Sequence, residues 1–416
     1  MTVARETIIL RKEHFGGLLA STLTGEYTPL DAAAYEAKKK QLTCSPQHET
    51  VVKLFDPTER GYPLLRDGVS SPVTLYLELT KKCDGSCRHC FADCGSSAPS
   101  EGESSLVDIR ALVAAFADIG GFYVRLTGGE PTIREDFPTI IDCVHSQGLR
   151  LGINTNGMFG PDVLDGILSR GVKDIRISLD GPESVNDAIR GTDSFRRATC
   201  TLSRIAEFNR TGTEPVQLTI NVVLMKSNLC GLEEMIEMAR SYGAKISFGL
   251  LRLTGRATKE EMLSPTEVVS AARRVQSSRE RLRLSGGSVR INYDVFRKDA
   301  STEHRPFPFD NSRCPMVVGI SVDAFGRVFP CGYMMNMEEW AGEDCRDRDL
   351  LDLWHHSPVL LRARQVTRSA CRNCRFYMLR CNGGCPCMAY QCEGDANGRD
   401  PYCVRDVVDL GEDATL

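Results

Sequence analysis

Residues 73–94 read VTLYLELTKKCDGSCRHCFADC, an apolar run followed at once by a group of cysteines. The run Val73–Thr80 has the composition of a buried strand. Cys83, Cys87 and Cys90 follow it with the spacing C-x3-C-x2-C, so one compact loop can direct three thiolates to a single centre. Zinc sites usually have four ligands, often in C-x2-C pairs. Three thiolates without an obvious partner instead suit a cubane iron–sulfur cluster with one open iron.

The strand that precedes the cysteines is the first of a series. Between successive strands lie segments with the apolar period of a helix, and Gly-rich or Asn-rich corners separate the elements. Strands that alternate with helices imply βαβ units, a parallel sheet and right-handed crossovers. About 180 residues suit a partial (β/α)6 TIM-like barrel rather than a closed eight, which makes this an α/β fold. The six predicted strands are Val73–Thr80, Phe122–Thr127, Leu149–Asn154, Asp174–Leu179, Val216–Leu224 and Lys245–Leu251.

Polar signatures stand where these strands end. In a parallel α/β sheet such loops meet at the carboxyl edge of the strands, where ligands bind. We therefore expect five loops to converge on one face, starting with the cysteine loop. The other four contain Gly128-Gly129-Glu130-Pro131, Asn154-Thr155, Ser178-Leu179-Asp180 and the run RLTGRA at residues 252–257.

The composition restricts the class of protein. The chain has 416 residues, and 51 Lys and Arg against 55 Asp and Glu give a formal net charge of -4. This balance disfavours a general nucleic-acid or anionic-membrane binder. No apolar run approaches the roughly 18 residues of a membrane span, and the N-terminus lacks a signal-peptide core. We expect a cytoplasmic protein, in which 18 cysteines serve as metal ligands or thiols rather than disulfides.

A second field of cysteines occupies the C-terminal quarter. Its spacing is C-x11-G-x4-C, then C-x2-C-x6-C-x3-C, then a last cysteine. Seven thiolates in this order are too many for one site and can hold two clusters, whereas zinc ribbons are the structural alternative. The seven are Cys314, Cys331, Cys371, Cys374, Cys381, Cys385 and Cys403.

The first cysteine loop followed by Gly-Gly-Glu-Pro after the next strand resembles the radical SAM superfamily. The resemblance implies that Cys83, Cys87 and Cys90 ligate a [4Fe-4S] cluster whose fourth iron binds S-adenosylmethionine. Reductive cleavage would then give a 5′-deoxyadenosyl radical that abstracts hydrogen from a substrate. His89 departs from the aromatic residue usual at that position. Cys94 is an alternative fourth ligand, and its binding would leave no open iron.

The same resemblance implies roles for the other loops. Glu130, beside Gly128, Gly129 and Pro131, would accept from the ammonium of the cofactor. Ser178 and Asp180 would bind its ribose, with Asn154 and Thr155 nearby, and Arg190 would pair with its carboxylate. Each role has a plainer alternative. Glu130 would then be a capping acid, the Ser178–Asp180 and Asn154-Thr155 segments would be turns or N-caps, and Arg190 would be a surface arginine.

The C-terminal spacing resembles the SPASM extension of radical SAM enzymes, with six residues where that family has five. This resemblance implies two auxiliary [4Fe-4S] clusters, three clusters in all. The first would use Cys314, Cys331 and Cys385, and its fourth ligand is Cys345, Cys387 or none. An absent fourth ligand would leave an open iron. Cys392 has no role that the pattern assigns. The second cluster would use Cys371, Cys374, Cys381 and Cys403.

The N-terminal stretch predicts a small β-hairpin and a helix. RKEHFGGLLAS, residues 11–21, is similar to the start of some SPASM maturases of the mycofactocin type. Such elements bind a precursor peptide by strand addition; a flap packed on the barrel is the alternative. The expected regions are 1–70 for this element, 72–257 for the barrel, 258–310 for a helical linker and 311–416 for the auxiliary clusters.

Together these features predict an oxidoreductase. The leading interpretation is a radical SAM enzyme that makes a thioether or C–C crosslink, or an oxidative decarboxylation, in a ribosomally made precursor peptide. An electron donor such as flavodoxin or ferredoxin would serve it, and no nucleic acid or membrane is expected. The alternatives are oxidation or decarboxylation of a small molecule, such as a tetrapyrrole side chain, a sugar or an alcohol, and a non-catalytic iron–sulfur carrier. A pure carrier needs no loop such as Gly128–Pro131.

Overall fold

The computed structural model describes residues 6–44, 50–212, 214–284, 288–291, 314–377 and 381–408. Its N-terminal part is a small sheet in the order β3-β2-β1-β4 with one helix against it. The predicted hairpin and helix are present, and the sequence did not predict β4, which pairs parallel to β1. The elements are β1 (Thr7–Glu13), β2 (Gly16–Ser21), β3 (Glu26–Leu30), α1 (Ala32–Cys44) and β4 (Val51–Phe55).

A nine-stranded sheet forms the main body, in the order β11-β10-β9-β8-β7-β6-β5-β12-β13. Strands β5 to β10 are the six predicted strands, all parallel to their neighbours, which confirms the α/β partial barrel. The strands are β5 (Thr74–Glu78), β6 (Tyr123–Thr127), β7 (Arg150–Thr155), β8 (Asp174–Ser178), β9 (Gln217–Leu224), β10 (Lys245–Leu250), β11 (Val289–Ile291), β12 (Gly319–Val322) and β13 (Val328–Phe329).

Two additions extend this sheet beyond the six predicted strands. β11 pairs parallel to β10 at one edge, so the region expected to be a helical linker also supplies a strand. β12 pairs parallel to β5 at the other edge, and β13 turns back antiparallel to it. The start of the cysteine-rich region is therefore part of the barrel sheet. Residues 285–287 and 292–310 of the expected linker, and 311–313 after it, lie outside the described residues.

Helices connect the parallel strands and cover the outside of the sheet. α2 begins with a capping box, in which Ser105 and Asp108 each accept from the other's main-chain N–H. The short helix α5 was not predicted, because ESVNDAIR has only two aliphatic residues and no long apolar stripe. The helices are α2 (Leu106–Asp118), α3 (Phe137–Ser146), α4 (Pro161–Ser169), α5 (Glu183–Arg190), α6 (Ser194–Thr211), α7 (Leu232–Ser241), α8 (Pro265–Leu282), α9 (Leu350–His356), α10 (Pro358–Arg364) and α11 (Pro386–Glu393).

The barrel strands divide their side chains between two environments. On β6, Val124 and Leu126 are buried in the aliphatic core beneath the helices. The alternate residues Tyr123 and Arg125 face a cavity inside the barrel. Arg125 Nη2 lies 2.5 Å from Asp174 Oδ2, so the interior contains a buried ion pair rather than packed aliphatic layers.

The cysteine-rich region is attached to the barrel by specific hydrogen bonds. Trp354 Nε1 donates to Val69 O at 2.8 Å, and the Tyr402 hydroxyl donates to Leu251 O at 2.9 Å. Both aromatic side chains are buried, so these bonds are shielded from water. In the described ranges, no helix has the length and apolar character required to cross a bilayer.

Candidate functional site

A cavity of about 1010 Å³ runs through the barrel interior. At the carboxyl ends of the strands it is lined by the cysteine loop and by the loops after β6, β7 and β8 and beyond β10, so the expected convergence is present. At the opposite end it reaches residues 24–27, the turn between β2 and β3. The predicted site residues that line it are Cys83, Cys87, Cys90, Gly128, Gly129, Asn154, Thr155, Ser178, Arg190 and Cys331.

The cysteine loop turns around Gly85. A Cβ atom at Gly85 would lie 3.5 Å from Cys83 Sγ and 3.7 Å from Cys87 Sγ, so both sulfurs face the same small space. Gly85 N–H donates to Cys83 Sγ at 3.3 Å. Burial raises the pKa of Cys83 to about 12 and also raises the pKa of Cys87. Such buried thiols need a metal to stabilise their thiolate form.

Cys90 has a different partner. The buried Cys94 thiol donates a hydrogen bond to Cys90 Sγ, which lowers the pKa of Cys90 and raises that of Cys94. Cys94 Sγ also lies 3.5 Å from Ala92 O and 3.9 Å from Glu78 Oε1. Cys94 is therefore a hydrogen-bonding neighbour of the cysteine group in this structure.

Gly129 brings the second loop directly against the cysteine loop. Its N–H donates to Thr80 O at 2.7 Å. A Cβ atom at this position would lie only 2.1 Å from Lys82 O and 3.0 Å from Cys83 Cβ. Only glycine permits this approach, so the Gly-Gly pair determines how the two loops fit together.

Glu130 is buried behind the cavity surface. Its carboxylate accepts from Thr132 N and Oγ1, from Thr155 Oγ1 at 2.8 Å and from Asn156 N at 2.8 Å. The side chain caps the turn Pro131–Ile133, as the plainer alternative expected, and it also ties the second loop to the third. Burial raises the pKa of Glu130 to about 7. Its interaction with the cofactor's ammonium stays a prediction.

Asp180 organises a buried polar group under the cysteine loop. Its Oδ2 lies 2.7 Å from Arg190 Nε and 3.2 Å from His89 Nε2, while Val223 N–H donates to its Oδ1 at 2.7 Å. Arg190 Nη1 lies 3.8 Å from Cys87 Sγ. Burial lowers the pKa of His89 to about 4, so this imidazole is neutral at pH 7. Asp180 holds Arg190 and His89 in place, and its contact with the ribose stays a prediction.

The loop beyond β10 closes over the cysteine loop. Arg256 Nε donates to Cys87 O at 3.0 Å and its Nη1 donates to Cys94 O at 2.8 Å. A Cβ atom at Gly255 would lie 2.2 Å from Cys90 O. The sequence placed RLTGRA at this face but gave no role to Arg256. The sequence feature that could have indicated Arg256 is the Gly255-Arg256 pair in the loop that follows β10.

Four C-terminal cysteines line a second, small cavity. Cys371, Cys374, Cys381 and Cys403 face it together with Gly383, Gly384 and Asp400. These are the four cysteines predicted for the second auxiliary cluster. Tertiary structure brings together four thiols that span 33 positions of the sequence.

The first auxiliary set also comes together. The Cys331 thiol interacts electrostatically with the thiols of Cys385 and Cys314, and burial raises the pKa of Cys331 to about 12. Asp400 Oδ2 accepts from Cys385 N–H at 2.6 Å. The Arg252 guanidinium lies beside Cys385 and 5.0 Å from the Tyr333 ring centre. Sequence reasoning placed Arg252 on this face as the first residue of RLTGRA but gave it no role, and it did not identify Tyr333.

Within the described part of the chain, no three His, Cys, Asp or Glu side chains are arranged around one ion position. The ligands of a four-iron cubane bind different irons, so their sulfurs lie farther apart than those around one ion. Two of the predicted cysteine sets face a shared space, one around Gly85 and one around the small C-terminal cavity, and both fit such clusters.

Comparisons with known proteins agree with this site. Residues 77–239 match the Radical SAM superfamily. The chain is 30% identical over 356 residues to mycofactocin maturase MftC of Mycobacterium tuberculosis, covering 85% of this chain and 88% of that protein. It is 28% identical over 362 residues to PqqA peptide cyclase of Rhizobium meliloti, covering 84% and 91%. The chain belongs to the radical SAM superfamily.

The fold has a solved counterpart. Streptococcus suis SuiB bound to precursor peptide SuiA superposes with a TM-score of 0.69 at 17% identity, covering 94% of this chain and 97% of that one. At this identity the likeness concerns the fold. Membership of the superfamily makes this protein an enzyme that uses S-adenosylmethionine and a [4Fe-4S] cluster.

Proposed function

We propose that this enzyme modifies a ribosomally made precursor peptide by radical chemistry, giving a crosslink or an oxidative decarboxylation. The observation that carries the proposal is the cavity that joins the cysteine loop to the turn at residues 24–27 of the N-terminal sheet. At about 1010 Å³ it reaches the upper end of the usual range for small-ligand sites, which leaves room for peptide residues beside the cofactor.

The first cluster would be held by Cys83, Cys87 and Cys90. When bound, the cluster and S-adenosylmethionine supply a carbon radical that takes a hydrogen atom from the substrate. The protein's part is to place both groups and to exclude water. Gly129 and Arg256 fix the cysteine loop from two sides through main-chain contacts.

The binding of S-adenosylmethionine is assigned to the loops on the same face. Arg190, oriented by Asp180 and facing Cys87, would pair with the methionyl carboxylate. Gly128, Asn154, Thr155 and Ser178 line the same cavity and would contact the rest of the cofactor. Glu130 would act as a positioning residue that joins two of these loops.

Two auxiliary clusters would complete a total of three. After hydrogen abstraction the substrate radical must lose an electron, and an auxiliary cluster can accept it. Phe91 of the cysteine loop contacts Tyr333 at 5.3 Å between ring centres. The Arg252 guanidinium also contacts the Tyr333 ring, at 5.0 Å from its centre, and lies beside Cys385. These side chains give the two centres a packed connection.

The N-terminal sheet is the proposed docking element for the peptide. β3 is an edge strand, and Glu26 and Tyr27 at its start are exposed, so a peptide strand can pair with it. Arg150 Nη1 donates to Thr22 O at 3.0 Å and to Leu23 O at 3.2 Å, which ties this turn to the barrel entrance. A peptide held by β3 would thus enter the cavity directly. The names of MftC, PqqA peptide cyclase and the SuiB–SuiA complex support a peptide substrate.

The remaining partners follow from the chemistry. A low-potential donor such as flavodoxin or ferredoxin would reduce the first cluster. The 18 cysteines are all free, which suits the reducing conditions of the cytoplasm.

The test is whether the enzyme modifies a candidate precursor peptide encoded next to its gene. A short open reading frame beside the gene supplies the peptide, which is incubated anaerobically with reconstituted enzyme, S-adenosylmethionine and reductant. Mass spectrometry should show loss of hydrogen, or of hydrogen and carbon dioxide, in the peptide. The Cys90→Ala variant is the control and should leave the mass unchanged. An unmodified peptide, together with turnover of a tetrapyrrole or alcohol, would instead support the small-molecule alternative.

A further inference from the structure

The first auxiliary set contains three cysteines, and a fourth thiol lies beside it. Cys387 is in the first turn of α11, directly after Cys385 and Pro386. It is 1% exposed and belongs to the same buried cluster as Cys331. The proline favours the start of the helix there, so the two thiols flank a fixed turn.

The contacts of Cys387 reach both segments that provide ligands. Its thiol donates a hydrogen bond to Cys385 Sγ and interacts electrostatically with Cys331. Its Sγ lies 3.6 Å from Tyr333 O, two residues beyond Cys331. Gln391 Nε2 donates to Cys387 Sγ at 3.2 Å, which orients the sulfur from the next turn of the helix.

Cys345, the other contender, has different surroundings. Its N–H donates to Gly326 O at 2.8 Å at the tip of the β12–β13 hairpin. Its strongest electrostatic partners are Asp344 and Arg346, its two neighbours in sequence. Cys345 is half-buried and Cys387 is buried, and of the two it is Cys387 that contacts the residues around Cys331 and Cys385.

We propose that Cys387 is the fourth protein ligand of the first auxiliary cluster, with Cys314, Cys331 and Cys385. The assignment rests on the proposed function, which places a cluster at these three cysteines. On binding, the Cys387 thiol loses its proton to solvent and its sulfur bonds to the fourth iron. Four thiolates leave no free position on iron, so this cluster transfers electrons and does not bind substrate. Arg252 stands beside Cys385 and Cys387 and offsets the negative charge that the site buries.

The experiment uses the full-length chain with Cys83, Cys87 and Cys90 all replaced by Ala, which removes the first cluster. The reconstituted parent should contain about eight irons, four per cubane. Its reduced electron paramagnetic resonance spectrum should not change when cyanide is added. With Cys387→Ala added, one iron becomes open, and cyanide should then shift the spectrum or the iron count should fall below about eight. Cys345→Ala, the matched control, should behave as the parent does.

Three spectroscopic results would overturn the ligand assignment. They are a cyanide-induced shift in the parent itself, a Cys387→Ala spectrum identical to that of the parent with and without cyanide, and a shift produced by Cys345→Ala alone. The parent measurement does not depend on whether the Cys387 variant folds. A parent with no more than about four irons overturns the two auxiliary clusters and this ligand with them. A full iron count with the wrong cyanide response overturns the ligand alone.

Discussion

Arg190 Nε lies 2.7 Å from Asp180 Oδ2, and the same guanidinium reaches to 3.8 Å from Cys87 Sγ. The carboxylate is fully buried and Arg190 nearly so, so the ion pair is shielded from solvent. Asp180 therefore fixes a positive charge beside the proposed cluster, on the wall of the cavity.

Arg190→Gln should weaken the binding of S-adenosylmethionine by about 10- to 100-fold, the effect of losing a charged hydrogen bond. The iron content of the first cluster should stay unchanged, because no ligand is lost. Equilibrium dialysis on reconstituted enzyme measures the affinity. Arg204→Gln, which breaks an exposed ion pair with Asp165, is the control and should have no effect. Unchanged affinity in Arg190→Gln would remove this residue from the cofactor site.

Cys90→Ala should abolish cleavage of S-adenosylmethionine, since one of three proposed cluster ligands is lost. Chromatographic detection of 5′-deoxyadenosine measures it. Cys200→Ala, at an exposed position on α6, should retain full cleavage. A folded Cys90→Ala protein that still made 5′-deoxyadenosine would contradict the assignment of the first cluster.

Cys381→Ala should block product formation yet leave cleavage of S-adenosylmethionine measurable. The reason is that the Cys381 thiol lines the small C-terminal cavity and not the barrel cavity that contains the first cysteine loop. Both 5′-deoxyadenosine and the modified substrate are quantified in the same reaction. Cys392→Ala serves as the matched variant outside the assigned sets. Loss of both activities in a folded Cys381→Ala protein would contradict the assignment of cofactor cleavage to the first cluster and of a later step to the auxiliary clusters.

Gly129→Ala should lower the iron content of the first cluster and destabilise the protein by about 1–3 kcal/mol, the usual effect of overpacking. The added Cβ would meet Lys82 O at 2.1 Å, so the cysteine loop must move. Iron analysis and thermal unfolding measure the two effects. Gly160→Ala is the control, because a Cβ there meets nothing within 4 Å. Equal behaviour of the two variants would mean that the loops adjust without loss.

Asp174→Asn should destabilise the protein by about 3–5 kcal/mol, because it leaves Arg125 buried without its counterion. Burial opposes the charge of Asp174, but Arg125, Arg176 and Tyr123 together outweigh it and lower the pKa of Asp174. A carboxyl group with a lowered pKa stabilises the fold above its unfolded pKa, and this stabilisation is lost only as the pH falls through the lower folded value. The difference from wild type in denaturant unfolding should therefore be constant from pH 6 to 8. A difference that shrank towards pH 6 would contradict this assignment of charge.

Much of the fold could be predicted from the sequence because its signals are local. Six β-branched runs separated by helix-period segments predict a parallel sheet, and the carboxyl-edge rule then places their loops together. β11 and β12 were not assigned to this sheet, since nothing in a run of three or four residues indicates which strand it will pair with. Helix α5 was not predicted, because its eight residues are too few to form a long apolar stripe.

The sequence by itself determined the spacing of the cysteines, C-x3-C-x2-C in one loop and seven more in the C-terminal quarter, and the resemblance to the SPASM extension implied how the seven divide into two sets. Tertiary structure alone decided which distant groups meet: Asp180 with Arg190 and His89, Arg256 with the cysteine loop, and the turn at residues 24–27 with the barrel cavity. It also separated Cys387 from Cys345, which spacing had left equal. Such contacts depend on how strands and loops far apart in the chain pack together, and neither spacing nor periodicity carries that information.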